Sequence, residues 1–329
     1  MKYGIISDTH HNPATIEPLV AMLKNNNVDA LVLNGDIGEE TAHVVYTLRT
    51  AALSGLPVYA QPGSHEDVPS YVEAMEHLQW KYPNIIDCVQ HPKHEQNDHH
   101  VIFLAGSDVT AGAGSFLIEQ QTLPTGYYFL DGMNKEVKPF KIKRNFLRAY
   151  TSTSIPNTRL LHMTDIADLE KLVTMPEKTV VFCHIPERFD NDHSTDYAYF
   201  AERNDGKGFI PGIMLEIGLK KEFGKDLTPE QLQKLANERG FTFKKANVGN
   251  QALSETYKKL NITKRVNGHI HESAHHAHNS VRLDIPEGTP VTDLAYNASY
   301  ADAGLAGILT VQDNKTNYEN VSLKSKLAI

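Results

Sequence analysis

Cysteine is almost absent from this chain: two residues in 329, Cys88 and Cys183, each within or beside an apolar run. No Cys-x-x-Cys spacing suggests a zinc or redox site, and a chain of this length buries a substantial core without disulfides. Both thiols are expected as small buried hydrophobes, which suits a reducing, cytoplasmic setting. Long apolar runs are also missing; none approaches the ~20 residues of a membrane-crossing helix. No signal peptide is expected, because Met1-Lys2-Tyr3 leads straight into the first apolar strand. Positive charge is in the minority, with 32 Lys and Arg against 40 Asp and Glu and a net charge of −8. That balance argues against nucleic acid as a partner, since such recognition usually shows a basic face, but leaves room for a small anionic ligand. Internal repeats and low-complexity tracts are absent.

What is present is alternation of strand and helix. Tyr3 to Ser7 reads as a buried strand ending at Asp8, and Ile16, Leu19, Val20 and Leu23 mark one face of a helix over about Thr15 to Asn25. Ala30 to Leu33 is a second strand, ending at Gly35-Asp36; Pro57 to Gln61 is a third, ending at Gly63. Helices are predicted between and after them, over Thr41 to Ser54 and about Pro69 to Trp80. This β-α-β-α order predicts a parallel sheet, and such sheets bind ligands beyond the carboxyl ends of their strands. After a strand at Val101 to Ala105 come two long excursions, about 109–160 and 186–250. Between them lie a predicted helix near Asp165 to Val173 and strand Thr179 to Cys183, followed by His184. Inside the second excursion, Thr228-Pro229-Glu230-Gln231 combines an N-cap, a first-turn proline and a capping-box glutamine. Leu232, Leu235 and Ala236 supply that helix's apolar face and Gly240 its end. A helix near Ala252 to Leu260, strand Lys264 to Asn267 and tail strands at 307–311 and 318–323 complete the expectation of one domain over 1–329 with two insertions.

Chemistry-bearing residues close these strands in a fixed order: Asp8-Thr9-His10, Gly35-Asp36, Gly63-Ser64-His65-Glu66, His184 and Gly268-His269-Ile270-His271. Carboxylate oxygen and imidazole nitrogen together suit manganese, iron, zinc and related ions. Two such ions clamp a phosphoryl group and turn water into hydroxide. The order D-x-H, G-D, G-N-H-[ED], H, G-H-x-H resembles the signature of the calcineurin-like metallophosphoesterases, with Ser64 standing where the family has Asn. The resemblance covers residues 1–108, 179–186 and 262–273. It implies a four-layer α/β/β/α sandwich and two divalent ions, manganese first, with iron, zinc, nickel or cobalt as alternatives. Carried over by position, Asp8, His10 and His271 would hold one ion. His184 and His269 would hold the other, with Asp36 bridging. His65 matches the family's histidine that contacts the phosphoryl oxygen or protonates the leaving group, and Glu66 would support a ligand or His65. Ser64 stands where an Asn oxygen would reach the second ion, on a shorter arm.

Gly35-Asp36-Ile37 lacks the Asp-Arg-Gly of protein Ser/Thr phosphatases and the tyrosine ligand of purple acid phosphatases. Gly63-Ser64-His65 keeps the histidine that lipid-A-pathway hydrolases replace by arginine. The reading is therefore a phosphoesterase for a small phosphomonoester or phosphodiester, with a nucleotide among the candidates, attacked by a metal-bound hydroxide. A nuclease, or a non-catalytic scaffold with a weakened second metal site, are the alternatives. Asn34 is a candidate for contact with phosphate or a metal-bound water, and His11 for the substrate mouth. His275, His276 and His278 read as a solvated loop with a third metal site as the sharper option, and His99-His100 as a turn. Tyr127, Tyr128, Tyr197, Tyr199 and Phe200 could stack a nucleobase. Lys138, Lys141, Lys143, Arg144 and Arg148 form a basic run that could hold a second phosphate.

Overall fold

The computed structural model describes residues 1–38, 40–66, 68–105, 166–224 and 226–323, together with the backbone of short strands between 117 and 163. The chain opens with β1 (Lys2–Ile6), α1 (Ile16–Asn25), β2 (Ala30–Asn34), α2 (Thr41–Ala52), β3 (Val58–Gln61) and α3 (Val68–Gln79). These match the predicted alternation to within three residues. Then follow β4 (Ile85–Asp87), β5 (Lys93–Glu95) and β6 (His100–Leu104). The first excursion contributes β7 (Leu117–Ile118), β8 (Gln121–Thr122), β9 (Gly126–Asp131), β10 (Glu136–Phe140) and β11 (Thr158–Met163). In it β9 pairs antiparallel with both β10 and β11. The aromatic and basic side chains singled out there, Tyr127 to Arg148, lie outside the described residues.

The chain continues through α4 (Leu169–Leu172), β12 (Thr179–Cys183), β13 (Tyr197–Arg203), β14 (Phe209–Pro211), α5 (Gly212–Phe223), α6 (Pro229–Glu238) and β15 (Phe241–Asn247). It closes with α7 (Gln251–Leu260), β16 (Lys264–Asn267), β17 (Ala277–His278), β18 (Leu294–Asn297), β19 (Leu305–Gln312) and β20 (Lys315–Ser322). The helix expected near Asp165 to Val173 is shorter: a 3₁₀ turn at Ile166–Asp168 and one α turn. Val173 is already extended, and β-branched Thr174 and Pro176 follow, which disfavours continuation. The predicted capping box is formed: Gln231 N–H donates to Thr228 Oγ1 and Thr228 N–H to Gln231 Oε1.

Two six-stranded sheets stand face to face, in the orders β20-β19-β1-β2-β3-β4 and β17-β18-β16-β12-β6-β5. β1 to β4 run parallel, as do β6, β12, β16 and β18. Side chains alternate between the faces of a strand, and here both faces are buried. Tyr3, Ile5, Ala30, Val32, Tyr59, Phe103, Phe182 and Val266 meet between the sheets. Phe103 stacks on Phe182 at 5.3 Å and on Tyr59 of the opposite sheet at 5.5 Å. The other face of the first sheet (Ile6, Leu31, Leu33, Val58) packs under α1, α2 and α3. The other face of the second (Ile102, Leu104, Val181, Cys183) packs under α4 and α7. The result is the α/β/β/α sandwich. Apolar runs with no polar alternation in β2, β6 and β12 follow from this double burial.

The second excursion builds a small sheet of its own, β14-β13-β15, all antiparallel, with α5 and α6 packed on it through Leu219, Leu232 and Ala236. Both cysteines are free and buried. Among the described residues no helix is long and apolar enough to cross a membrane.

Candidate metal centre

The carboxyl ends of β1, β2 and β3 from one sheet and of β12 and β16 from the other face a common space. The loops leaving them bend at once. Asp8, Asp36 and His269 each take a left-handed backbone, with φ of 64°, 51° and 69°. Asp and His tolerate that region better than most residues, and such conformations gather at functional sites. The bends are tied together by the main chain: Asp8 N–H donates to Gly35 O at 3.1 Å, Thr9 N–H to Asp36 O at 2.6 Å and Gly268 N–H to His184 O at 2.9 Å. Two glycines make the close approach possible. A Cβ on Gly35, where φ is +88°, would enter the His184 ring, and one on Gly63 would collide with the Asp36 carboxylate.

The side chains so placed form three overlapping groups, Asp8–His10–His271, His10–Asp36–His65 and Asp36–His184–His269. Within each, the candidate ligand atoms all lie within 4.8 Å of one another. His271 Nε2 is 3.2 Å from Asp8 Oδ1, His184 Nε2 is 3.1 Å from Asp36 Oδ2, and His10 Nε2 is 3.5 Å from Asp36 Oδ2. Asp36 is shared by two groups and lies at their junction. His65 is exposed and meets His10 edge-on, ring centroids 4.3 Å apart.

Asp8, Asp36 and His184 are almost fully buried. Burial would raise the Asp8 carboxyl, but His10 and His271 beside it prevail and hold it well below the usual range. Asp36 is likewise held low against burial, chiefly by His184. Burial would lower the imidazoles; instead Asp8 and Asp36 raise His10 to about 9, and Asp36 raises His184 to about 10. Burial, with His184 alongside, pushes His269 down to about 4.

The donor set fits a divalent cation on one particular observation. His184 Nδ1 is engaged with the Asn34 carbonyl at 2.9 Å, so its remaining nitrogen, Nε2, points at the Asp36 carboxylate. Nε2 lies beside that carboxylate without a well-aligned hydrogen bond. A proton on Nε2 pairs the ring with Asp36; once that proton leaves, a lone pair faces an anion, and a cation between them removes the conflict. Engaging the far ring nitrogen on a carbonyl is also how ligand histidines are held in one tautomer.

Ser64 departs from a simple ligand geometry. Its hydroxyl lies 2.9 and 3.2 Å from the two Asp36 oxygens, and the Ser64 and His65 N–H groups also donate to Oδ1. Glu66 turns toward the Asp36 loop. It is buried and accepts N–H donors from Ile37, Gly38 and Gly63, joining the Asp36 loop to the β3 loop. Burial, with Asp36 nearby, pushes the Glu66 carboxyl up to about 7. Asn34 faces inward rather than the centre, its Oδ1 accepting from Gln61 at 2.6 Å. His11 is exposed. His275, His276 and His278 form none of the metal-competent groups found among the described residues: His275 Nε2 meets Ala306 O and His278 meets Thr195 N–H and Asn279 O. His99 is no exposed turn but is buried between Tyr3 and Asp98.

Residues 297–302, which no motif flags, brace the whole site. Tyr300 stacks flat on His271, centroids 4.1 Å apart. Asp302 accepts from the N–H groups of His11 and Asn12, both at 2.9 Å. Asn297 holds the Ile270 carbonyl at 2.8 Å. Their one sequence signal is a cluster with polar residues directly after the apolar triplet Leu294-Ala295-Tyr296, the same placement as the motif residues.

The family profile described as calcineurin-like phosphoesterase matches residues 1–273. This chain belongs to that family. Among solved structures, the chain is similar to the crystal structure of TT1561 of Thermus thermophilus, at 11% identity and a TM-score of 0.49, over 97% of this chain and 98% of that one. A second crystal structure is 13% identical with a TM-score of 0.49, over 98% of this chain and 99% of that one. No curated protein matches the sequence at a significant level. As a calcineurin-like phosphoesterase the chain has Asp and His groups placed for metal at its sheet ends.

Proposed function

We propose that the protein is a metal-dependent hydrolase of small phosphomonoesters or phosphodiesters, working with two divalent ions. The observation that carries this reading is the run of three overlapping Asp–His groups, joined to one another through His10 and Asp36. Asp8, His10 and His271 would hold one ion and His184 and His269 the other, with Asp36 between. When bound, such ions supply Lewis acidity toward phosphoryl oxygens and a water acidified to near neutral pH. The chain's own residues do the rest. His65, exposed beside His10, would turn toward a substrate and donate a proton to the departing oxygen. The two Asp carboxylates, kept ionised by their imidazole neighbours, set the charge of the site. Glu66 fixes the Asp36 loop against the β3 loop so that the shared carboxylate does not drift.

The test is metal analysis of the purified protein, followed by hydrolysis of aryl phosphomonoesters and phosphodiesters with and without added Mn²⁺. Stoichiometric metal and metal-dependent turnover of at least one ester are expected. A protein that binds no divalent ion, or hydrolyses neither ester when loaded, overturns the reading.

A further inference from the structure

A cleft of about 710 Å³ opens where the small sheet of the second excursion meets the turn that carries His271. Its floor comes from one face of that sheet. Tyr199 lies opposite Lys245 and Ala201 opposite Phe243 in the register, so Tyr197, Tyr199, Phe243 and Lys245 share a side. The rings of Tyr199 and Phe243 stack at 5.4 Å, and Lys245 Nζ sits 5.6 Å from the Tyr199 centroid. Glu216 accepts the Tyr199 hydroxyl at 3.3 Å, which fixes the ring. Leu232 and Gln233 of α6 form one wall.

Glu272 and His276 also line the cleft, and they belong to the segment that carries His271. His271 and Glu272 are consecutive on a 3₁₀ turn, where Cα atoms are about 3.8 Å apart and successive side chains diverge by roughly a third of a turn. One side chain therefore faces Asp8 while the next faces the cleft. The small sheet is tied to this turn by Ser273 Oγ donating to Thr195 O at 2.6 Å and Thr195 N–H to His278 Nε2 at 3.1 Å.

We propose that this cleft holds the organic part of the substrate and that this part is a nucleoside. The proposal rests on the phosphoesterase reading above, in which the phosphate lies at the Asp–His groups. Tyr199 and Phe243 stack on each other, so the pair presents ring edges to the cleft, and an aromatic base packs on them edge-to-face. Carboxylate and amide groups at the walls, Glu272 and Gln233, match the N–H donors and acceptors of base edges and the ribose hydroxyls. A lipid tail would meet Glu216, Glu272 and Lys245 in place of an unbroken apolar lining.

Two measurements test it on the whole chain. In the first, KM values of the four common nucleoside monophosphates are compared with that of ribose 5-phosphate, with Mn²⁺ present. The best nucleotide should have a KM at least about tenfold lower, the scale of one aromatic pair. Tyr199→Leu and, as a variant on a helix wall, Gln233→Leu should each close much of that gap. In the second, free adenosine, guanosine, cytidine and uridine are titrated without metal and followed by saturation-transfer NMR. Binding should be seen for at least one and weaken in Tyr199→Leu. Equal KM values for nucleotides and ribose 5-phosphate, or no nucleoside binding in a protein that hydrolyses aryl phosphates, would overturn the cleft assignment. Nucleoside binding by a protein that hydrolyses no phosphoester would instead remove the phosphoesterase reading and leave the cleft's ligand class standing.

Discussion

Asp36 carries more of the site than any other single residue. Its carboxylate receives the N–H groups of Ser64 and His65 and the Ser64 hydroxyl, and it lies 3.1 Å from His184. Asp36→Asn should therefore lower metal content and activity together, because one negative charge serves both groups. His65→Ala should leave the metal in place and slow turnover, by about the 10²–10⁴-fold typical of a general acid. Metal analysis and kinetics on the two variants separate these roles; equal metal loss in both would contradict the division. Ser64 is a subtler case. Its hydroxyl is oriented on Asp36 and not extended as an independent donor arm, so a second ion would be short of a protein ligand. Ser64→Asn should lower the Mn²⁺ concentration needed for half-maximal activity. A titration identical to that of the unmodified protein would mean that water or the enclosing loop already supplies what Ser64 does not.

At the scale of elements, the loops leaving the strand ends are held in place by contact with one another. Gly35 is the tightest point, with a left-handed backbone and the His184 ring where its side chain would be. Gly35→Ala should cost at least about 1–3 kcal/mol of backbone strain alone, with displacement of His184 added to it. Urea unfolding and metal content should both respond. A variant as stable and as well loaded as the parent would show that the loop can re-form around a methyl group. Helix α6 offers a test away from the metal centre. Removing its N-cap by Thr228→Ala should destabilise it by about 0.5–2 kcal/mol, seen as faster hydrogen exchange of α6 amides. Unchanged exchange there would mean that packing of Leu232 and Ala236, and not the cap, holds the helix.

For the molecule as a whole, the strongest pH response comes from competition between protons and metal. His10 and His184 are raised to about 9 and about 10, above the ~6.5 of an unfolded imidazole. In the metal-free protein their ion pairs with Asp8 and Asp36 contribute stability that is complete below about pH 6.5 and is lost as pH rises through 9 to 10. A divalent ion must displace the same protons, so apparent metal affinity should climb with pH up to that range. Metal uptake at pH 7 should release about two protons. Calorimetric titrations in two buffers of different ionisation enthalpy read this directly. Identical heats in both buffers would show that the imidazoles are already neutral before the metal arrives.

Much of the fold was legible because its signals are local. Leu31 to Leu33 and Val180 to Phe182 are apolar at every position, as strands buried on both faces must be, and α6 announces its own start in four residues. The placement of Asp8, Asp36, His184 and His269 beyond such runs was enough to say at which end of the sheets they would gather. Other features depend on which distant segments become neighbours. β18 is a four-residue strand in a stretch broken by prolines, and it exists because β16 supplies its hydrogen bonds. Asp302 braces a loop 290 residues earlier in the chain, and Tyr300 covers a histidine that lies two strands earlier. Ser64 read as an oxygen near a second ion; its direction, toward the Asp36 carboxylate, was set by where the β2 and β3 loops meet. Composition and periodicity determined the layers and the residues at their rim. The bracing of that rim, the inward turn of Glu66 and the cleft between Tyr199 and Glu272 were decided only by tertiary contact, because each joins side chains that no local pattern relates.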